Sequence, residues 1–411
     1  MVPLRIQNLE NTPLLDLPDS LMSSSPASPD ALGDLAQRPG KSSTDPLAGF
    51  QVTNIGEIPS PAVLLIRARI EENLRRMIGI AGSPERLRPH IKTHKIAELV
   101  RRQIELGIAR FKCATIAEAE MAASAGARDV LLGYQPVGPD ARRWIELHKA
   151  YPQVHWLALI DDATALAHLV VAAQGTPLEL LIDLDIGQHR TGVPPGSPAM
   201  ELARTLAKTS GVTFGGLHAY DGHLHQTDFQ EREAACREAF GPVDVLRDAL
   251  RAQGIPVPRI VAGGTPTFPI HARRGDLECS PGTCVLWDAG YQTKLPDLDF
   301  LTAAILVTRV VSRPGPNRVC LDLGHKAVAS EMPHPRVVFL NLPDATPVAH
   351  NEEHLVVETP HASRFPVGTV VYGIPWHVCP TMALHAEAWV VDGSQATGRW
   401  KVAARARRLG I

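Results

Sequence analysis

The chain has 411 residues, 45% hydrophobic and 20% charged, with a formal net charge of −2 at pH 7. That length supports a large core and two domains. The near-neutral charge gives no electrostatic case for nucleic acid or an anionic membrane as partner, and no apolar run reaches the ~18–20 residues of a spanning helix.

Six cysteines, at 113, 236, 279, 284, 320 and 379, lack paired spacing, so reduced thiols and a cytoplasmic setting are expected. Residues 1–48 are poor in core residues and turn-rich, as in Ser23-Ser24-Ser25-Pro26-Ala27-Ser28-Pro29, and a flexible extension is expected there. No charged start precedes an apolar stretch, so no secretory leader is expected. Arg5 is the only arginine of the first 37 residues, among five acidic ones, which argues against organellar targeting.

From about 85 to 285 the texture alternates. Apolar runs at 111–114, 130–132, 154–160, 178–184, 214–219 and 260–262 are separated by helical stretches at 116–126, 140–150, 163–173, 199–209 and 228–253. Glycine or proline marks most joints. With a strand before residue 92 and another near 277–279, the count is about eight, which predicts an α/β fold, a (β/α)8 barrel. A doubly wound open sheet is the alternative, weakened by the lack of Gly-x-Gly-x-x-Gly after the first strand. Past residue 301, runs at 303–311, 318–323, 337–340, 355–358, 369–374 and 388–391 read as strands with almost no helical periodicity, hence a C-terminal β domain.

Six segments carry chemistry. Arg88-Pro89-His90-Ile91-Lys92-Thr93-His94-Lys95 gathers two lysines and two histidines at a strand end. A lysine there can form a Schiff base, because neighbouring cations and partial burial favour loss of its proton. On spacing alone, an exposed basic loop is the simpler account. The turn 182–193 places Asp183 and Asp185 before Gly187, His189 and Arg190, a set that can orient an anionic ring substituent. A surface turn with a salt-bridged arginine has the same pattern. In Gly216-Leu217-His218-Ala219-Tyr220-Asp221-Gly222-His223-Leu224-His225, three histidines crowd a strand end, with His218 and Tyr220 on one face.

The turns Gly263-Gly264-Thr265 and Pro281-Gly282-Thr283 follow the last two barrel strands, where barrels hold phosphate. Glycines let backbone N–H groups approach phosphate oxygens, and each threonine adds a hydroxyl. Either could equally be a plain tight turn. Trp376-His377-Val378-Cys379-Pro380-Thr381 offers two metal ligands at i and i+2, which would point the same way in a strand. Two ligands leave open positions for water or substrate. A buried cysteine beside an ordinary histidine is the bland account.

These segments, with Leu131-Leu132-Gly133-Tyr134-Gln135-Pro136, resemble the D-threonine aldolase / D-serine dehydratase family, and they follow that family's order from about 55 to 395. The family carries pyridoxal phosphate on an alanine-racemase-type barrel. The resemblance implies a cofactor barrel over 66–290 and a β domain, formed by 50–65 and 291–411, that carries the metal pair. It implies Lys92 as the aldimine lysine with Lys95 a decoy, Arg190 at the cofactor's phenolic oxygen, and His218 and Tyr220 beside its ring. Gly263, Gly264, Thr265, Gly282 and Thr283 would surround the phosphate. His377 and Cys379 would hold a divalent metal, zinc or manganese, with cysteine favouring zinc. A homodimer is implied as well.

The implied function is a lyase acting on small β-hydroxy-D-amino acids, with Lys92 and His377 catalytic. The wording at 131–136 and 220–223 favours D-threonine aldolase over D-serine or 3-hydroxy-D-aspartate dehydratase. The chain departs from the pattern at Cys284, where many members have tyrosine, at His189, where a small residue is usual, and in His-x-Cys, where aldolases often have His-x-Asp. A racemase needs only the lysine. A non-catalytic pyridoxal phosphate carrier would generally lack the β domain and the metal pair, and a sugar-handling barrel would lack the cofactor.

Overall fold

The computed structural model describes residues 47–411. The extension expected over 1–48 lies, but for its last two residues, outside the described residues.

Strand β1 (Ala62–Ile66) leads into helix α1 (Arg67–Ala81) and belongs to a second sheet taken up below. The first sheet has seven parallel strands in sequential order: β2 (Arg110–Cys113), β3 (Asp129–Leu132), β4 (His155–Ile160), β5 (Leu178–Leu184), β6 (Val212–Ala219), β7 (Ile260–Ala262) and β8 (Glu278–Cys279). Helices α2 (Ala97–Glu105), α3 (Ile116–Ser124), α4 (Pro139–Ala150), α5 (Ala163–Ala173), α6 (Ser197–Lys208) and α7 (Phe229–Ala252) supply its crossovers. The strands are buried on both faces, as a helix-covered parallel sheet requires.

The strand expected before Lys92 is not a regular strand. Residues 87–90 close the ring through two isolated parallel bridges, Leu87 to Cys279 and His90 to Lys112. Pro89 has no N–H to donate, so a continuous ladder cannot form, although its carbonyl still accepts from Lys112 N at 3.0 Å. A 3-10 turn over Ile91–Thr93 follows at once. Seven strands and one bridged segment therefore make the barrel expected from the sequence.

Leu131, Leu157, Leu159, Leu181 and Val261 pack together as a buried cluster of their own, fed by inward positions of four strands. At the strands' N-terminal ends lies a closed ring of charge. Arg88, fully buried, reaches Asp129 and Glu278 at 2.6 Å each. Asp129 meets His155 at 3.1 Å, and His155 meets Glu179 at 2.7 Å. Glu179 pairs with Arg259, which returns to Glu278 at 3.7 Å.

The second sheet follows two short helices, α8 (Phe268–Ala272) and α9 (Ala289–Lys294). It contains β9 (Ala304–Gly315), β10 (Arg318–Leu321), β11 (Val337–Phe339), β12 (Thr346–His350), β13 (Leu355–Glu358), β14 (Val370–Pro375), β15 (Glu387–Asp392) and β16 (Gln395–Lys401). The path runs β12-β13-β10-β9-β1-β15-β16, with β14 between β9 and β11. β1 lies antiparallel to β9 and parallel to β15, with Leu64 opposite Trp389. Among the described residues no helix is long and apolar enough to cross a membrane.

Candidate active site

The turn after residue 90 sorts its two lysines by their partners. Lys95, at a positive φ of 56°, turns its amine onto the fully buried carboxylate of Glu118. Glu118 also accepts Ala114 N–H at 2.6 Å, so Lys95 serves to pin the turn to the start of α3. The Lys92 side chain has no hydrogen-bond or ion-pair partner among the described residues, and its Nζ lies over the Tyr220 ring, 5.9 Å from the centroid. His90 and His94 are held neutral, chiefly by burial and then by the charges of Lys92 and Lys95 respectively. His94 falls to about 3.

The same ring collects two more cations. Arg190 Cζ stands 5.0 Å and Lys112 Nζ 5.6 Å from its centroid. The turn behind Arg190 is folded back on β5: Asp185 accepts Gly187 and His189 N–H groups, and Asp185 N–H reaches Val193 O at 3.0 Å. His189 is exposed and pairs with Asp185 at 2.9 Å, so it turns away from the site. His218 does face inward. Its Nδ1–H donates to Asp183 at 2.7 Å, which leaves Nε2 to accept from Lys112 at 3.3 Å. Asp183 is anchored further by Thr191 and Gln135.

The two glycine turns dock on one another. Thr265 Oγ1 accepts N–H from both Gly282, at 3.2 Å, and Thr283, at 3.1 Å. Gly263 sits at a φ of +73°, and a Cβ there would fall 2.5 Å from His271. Two amides and two threonine hydroxyls thus meet in a buried cradle, and the N–H donors now spent on Thr265 Oγ1 would serve a phosphate that displaced it. Cys284, at the place of the usual tyrosine, is buried, and burial raises its thiol to about 12, so it acts as packing.

Behind the cradle, Asp221 accepts from Thr267 and His271 at 2.8 Å each, and Cys236 Sγ lies 3.5 Å from His271 Nε2. Asp221, Cys236 and His271 are close enough to hold an ion. Both Asp221 oxygens are already occupied, however, and an ion would have to break those bonds. Their work as they stand is to fix the Gly263–Thr267 loop.

The His377–Cys379 pair differs from the strand expected for it. β14 ends at Pro375, and His377 caps helix α10 (Val378–Leu384), so Cys379 lies in its first turn. The two side chains nevertheless meet. Glu331 bonds His377 Nδ1 at 2.5 Å, and the imidazole also interacts with the Cys379 thiol. Burial pushes the Cys379 thiol up, but the hydrogen bond and charge of His377 outweigh it and the thiol ends below its ordinary value. His377 rises to about 9: burial would lower it, and Cys379 overrides that. A carboxylate-held imidazole beside a thiol primed to ionise suits a soft divalent metal such as zinc. Cys379 Sγ also touches Thr93 Oγ1 at 3.2 Å and Thr283 Oγ1 at 3.5 Å, which joins the turn of Lys92, the Pro281–Thr283 turn and the His377–Cys379 pair at one point.

A cavity of about 350 Å³ opens beside His377, lined also by His225, Asp288, Tyr291, Lys294 and Trp376. Asp288 is raised to about 6 by burial, and its oxygens accept Tyr291 N–H and Val378 N–H. Sequence reasoning assigned no role to Lys112, Glu331 or Asp288. Lys112 carried a signal, a charge inside the apolar run 111–114. Glu331 carried none, since its partner lies 46 residues on.

Residues 66–287 match the alanine racemase N-terminal domain, and residues 303–391 match the serine dehydratase domain. The chain is 30% identical over 391 residues to a D-threonine aldolase of Arthrobacter sp, covering 92% of this chain and 99% of that protein. It is 28% identical over 371 residues to the D-threo-3-hydroxyaspartate dehydratase of Delftia sp. (strain HT23), covering 83% and 96%. The crystal structure of D-threonine aldolase from Filomicrobium marinum aligns with a TM-score of 0.79 at 29% identity, over 85% of this chain and 96% of that one.

Proposed function

The chain belongs to the D-threonine aldolase / D-serine dehydratase-like family of alanine-racemase-type lyases, and from that premise we propose that it is a D-threonine aldolase, cleaving its substrate to glycine and acetaldehyde. The contact of Cys379 with both Thr93 and Thr283 carries this reading, because it gathers an amine, an anion cradle and a metal pair around one space. Lys92 is the amine, left free where Lys95 is tied down. Gly263, Gly264, Thr265, Gly282 and Thr283 hold the phosphate of pyridoxal phosphate; Arg190, His218 and Tyr220 flank its ring. His377 and Cys379 hold a divalent ion, with Glu331 fixing the imidazole.

When bound, the cofactor supplies an electron sink for bonds broken at the substrate Cα, and the ion supplies Lewis acidity to the β-hydroxyl. Retro-aldol cleavage also needs a base for the hydroxyl proton. Four titratable groups share the cavity with His377, namely His225, Asp288, Tyr291 and Lys294, and of these a phenol and an ammonium ordinarily keep their protons at neutral pH. Asp288 spends its oxygens on backbone N–H groups, so the exposed His225 is the group assigned to accept that proton.

One observation favours a second reading. The thiolate ligand, where aldolases of this family often have a carboxylate, supports dehydration of D-serine or 3-hydroxy-D-aspartate, with Lys92 taking the Cα proton. Product analysis separates the two. Enzyme loaded with pyridoxal phosphate and zinc or manganese is incubated with D-threonine, D-serine and 3-hydroxy-D-aspartate. Glycine plus aldehyde, lost in His377→Ala, is the expected result; ammonia plus 2-oxo acid establishes the dehydratase instead.

A further inference from the structure

Lys112 is a buried lysine with no counter-ion. It is 3% exposed, in the middle of β2, and forms no ion pair among the described residues. Its stem lies against Gly133: a Cβ there would fall 3.2 Å from both Lys112 Cγ and Cδ, so the glycine after β3 leaves the room this side chain needs. Its Nζ meets His218 Nε2, whose imidazole is oriented by Asp183. That partner fixes where the ammonium points: over the Tyr220 ring that Lys92 Nζ also overlies.

Burying an amine without a carboxylate costs stability, and a leucine would fill the same strand position without that penalty. The groups facing Lys112 are of mixed sign. Lys92, His90 and Arg88 come from the first barrel segment, Asp183 from β5, and His218, Tyr220 and Asp221 from the end of β6. The carboxylates raise its proton affinity, while burial, the largest influence, and the charge of Lys92 lower it to about 7.

We propose that Lys112 is a positioning residue that acts through Lys92: held by His218, it cannot compete for a carbonyl, and its ammonium would supply positive charge beside the nitrogen that Lys92 would give to the cofactor, favouring the unprotonated form of that nitrogen. A neighbouring cation disfavours a second positive charge, and this is a general route to a reactive lysine. The inference rests on the assignment of Lys92 as the cofactor lysine.

The test uses the full chain loaded with pyridoxal phosphate and zinc. Borohydride reduction and peptide mapping locate the modified lysine, and the visible absorption of the bound cofactor is followed against pH. Wild type is expected to be trapped at Lys92. Lys112→Met is expected to raise the spectral midpoint by ~0.5 pH units or more, and Lys112→Arg, which keeps the charge, to hold it within about 0.2. Should Lys112→Met not fold, Lys112→Gln keeps a polar group for His218 and is expected to give the same rise. Trapping at Lys92 with an unmoved midpoint in the Met or Gln variant overturns the role of Lys112 and leaves the lyase assignment intact. Trapping at Lys112, or no visible band in wild type, overturns both.

Discussion

The two ends of the barrel handle charge in opposite ways. At the N-terminal end, Arg88, Asp129, His155, Glu179, Arg259 and Glu278 alternate in sign around a closed circuit, and each has a partner on either side. At the C-terminal end, Lys92, Lys112 and Arg190 gather round Tyr220 with no carboxylate in ion-pair reach among the described residues. A buried apolar layer at Leu131, Leu157, Leu159, Leu181 and Val261 lies on β3, β4, β5 and β7, whose N-terminal ends carry Asp129, His155, Glu179 and Arg259 of the circuit. One end is electrostatically finished within the chain; the other leaves three cations around one aromatic ring. Stability and reactivity have been assigned to opposite ends of the same strands.

The largest effect expected from breaking this division is at the reactive end. Lys92→Ala should lower turnover on the order of 10³-fold or more and abolish the visible cofactor band. Its urea midpoint should correspond to a stability change within about 1 kcal/mol of wild type, since Lys92 has no partner to lose. Arg88→Met should do the reverse. Removing the fully buried cation breaks two short ion pairs and leaves Asp129 with His155 alone and Glu278 with the more distant Arg110 and Arg259, at a cost of ~3–5 kcal/mol by urea unfolding. The fraction that remains folded should turn over at close to the wild-type rate.

A smaller effect is expected at Glu331. Glu331→Gln keeps the size of the side chain but weakens its hold on His377, and zinc affinity in a competition titration should fall about 10–100-fold. The smallest is a pH effect in the ring. His155 is raised from 6.5 to about 9, first by its hydrogen bond to Asp129 and then by that to Glu179. A raised folded value means the contribution is complete below pH 6.5 and is lost as pH climbs through 9. His155 is 42% exposed, so solvent screening keeps the effect under ~1 kcal/mol. His155→Ala should flatten the decline of unfolding free energy over that interval. Asp129, held near 2 by His155 and Arg88 against the opposing pull of burial, should contribute an acid limb, complete above 3.8 and lost as pH falls through 2.

Much of this arrangement was legible in the chain because barrel strands are local: each apolar run is followed by its own helix and joint. The readings that needed correction were at residues whose structure depends on partners. Residues 87–90 satisfy their backbone through Cys279 and Pro281 on one side and Lys112 on the other, contacts that periodicity cannot report. At His377, alternation suggested a strand, but Pro380 in the next turn is a helix-start signal, and Thr381 Oγ1 closes that turn on His377 O at 2.8 Å. Lys112 was counted within an apolar run, where its charge was the evidence. The ring of opposite charges was invisible, since its members are spread from residue 88 to 278 and meet only once the barrel closes.

The placement of β1 has a consequence in time. Leu64 pairs with Trp389, roughly 325 residues later. At a synthesis rate of ~5–20 residues per second, β1 leaves the ribosome roughly 15–65 s before that partner exists. Over the same interval the sequential barrel strands can pair as they emerge. The antiparallel partner of β1, strand β9, begins only at Ala304, so the stretch Ala-Val-Leu-Leu-Ile, buried along its whole length in the finished protein, has neither sheet neighbour until most of the chain has been made. Of all segments in the described chain, it is the one whose yield should depend most on chaperones and on the speed of the ribosome.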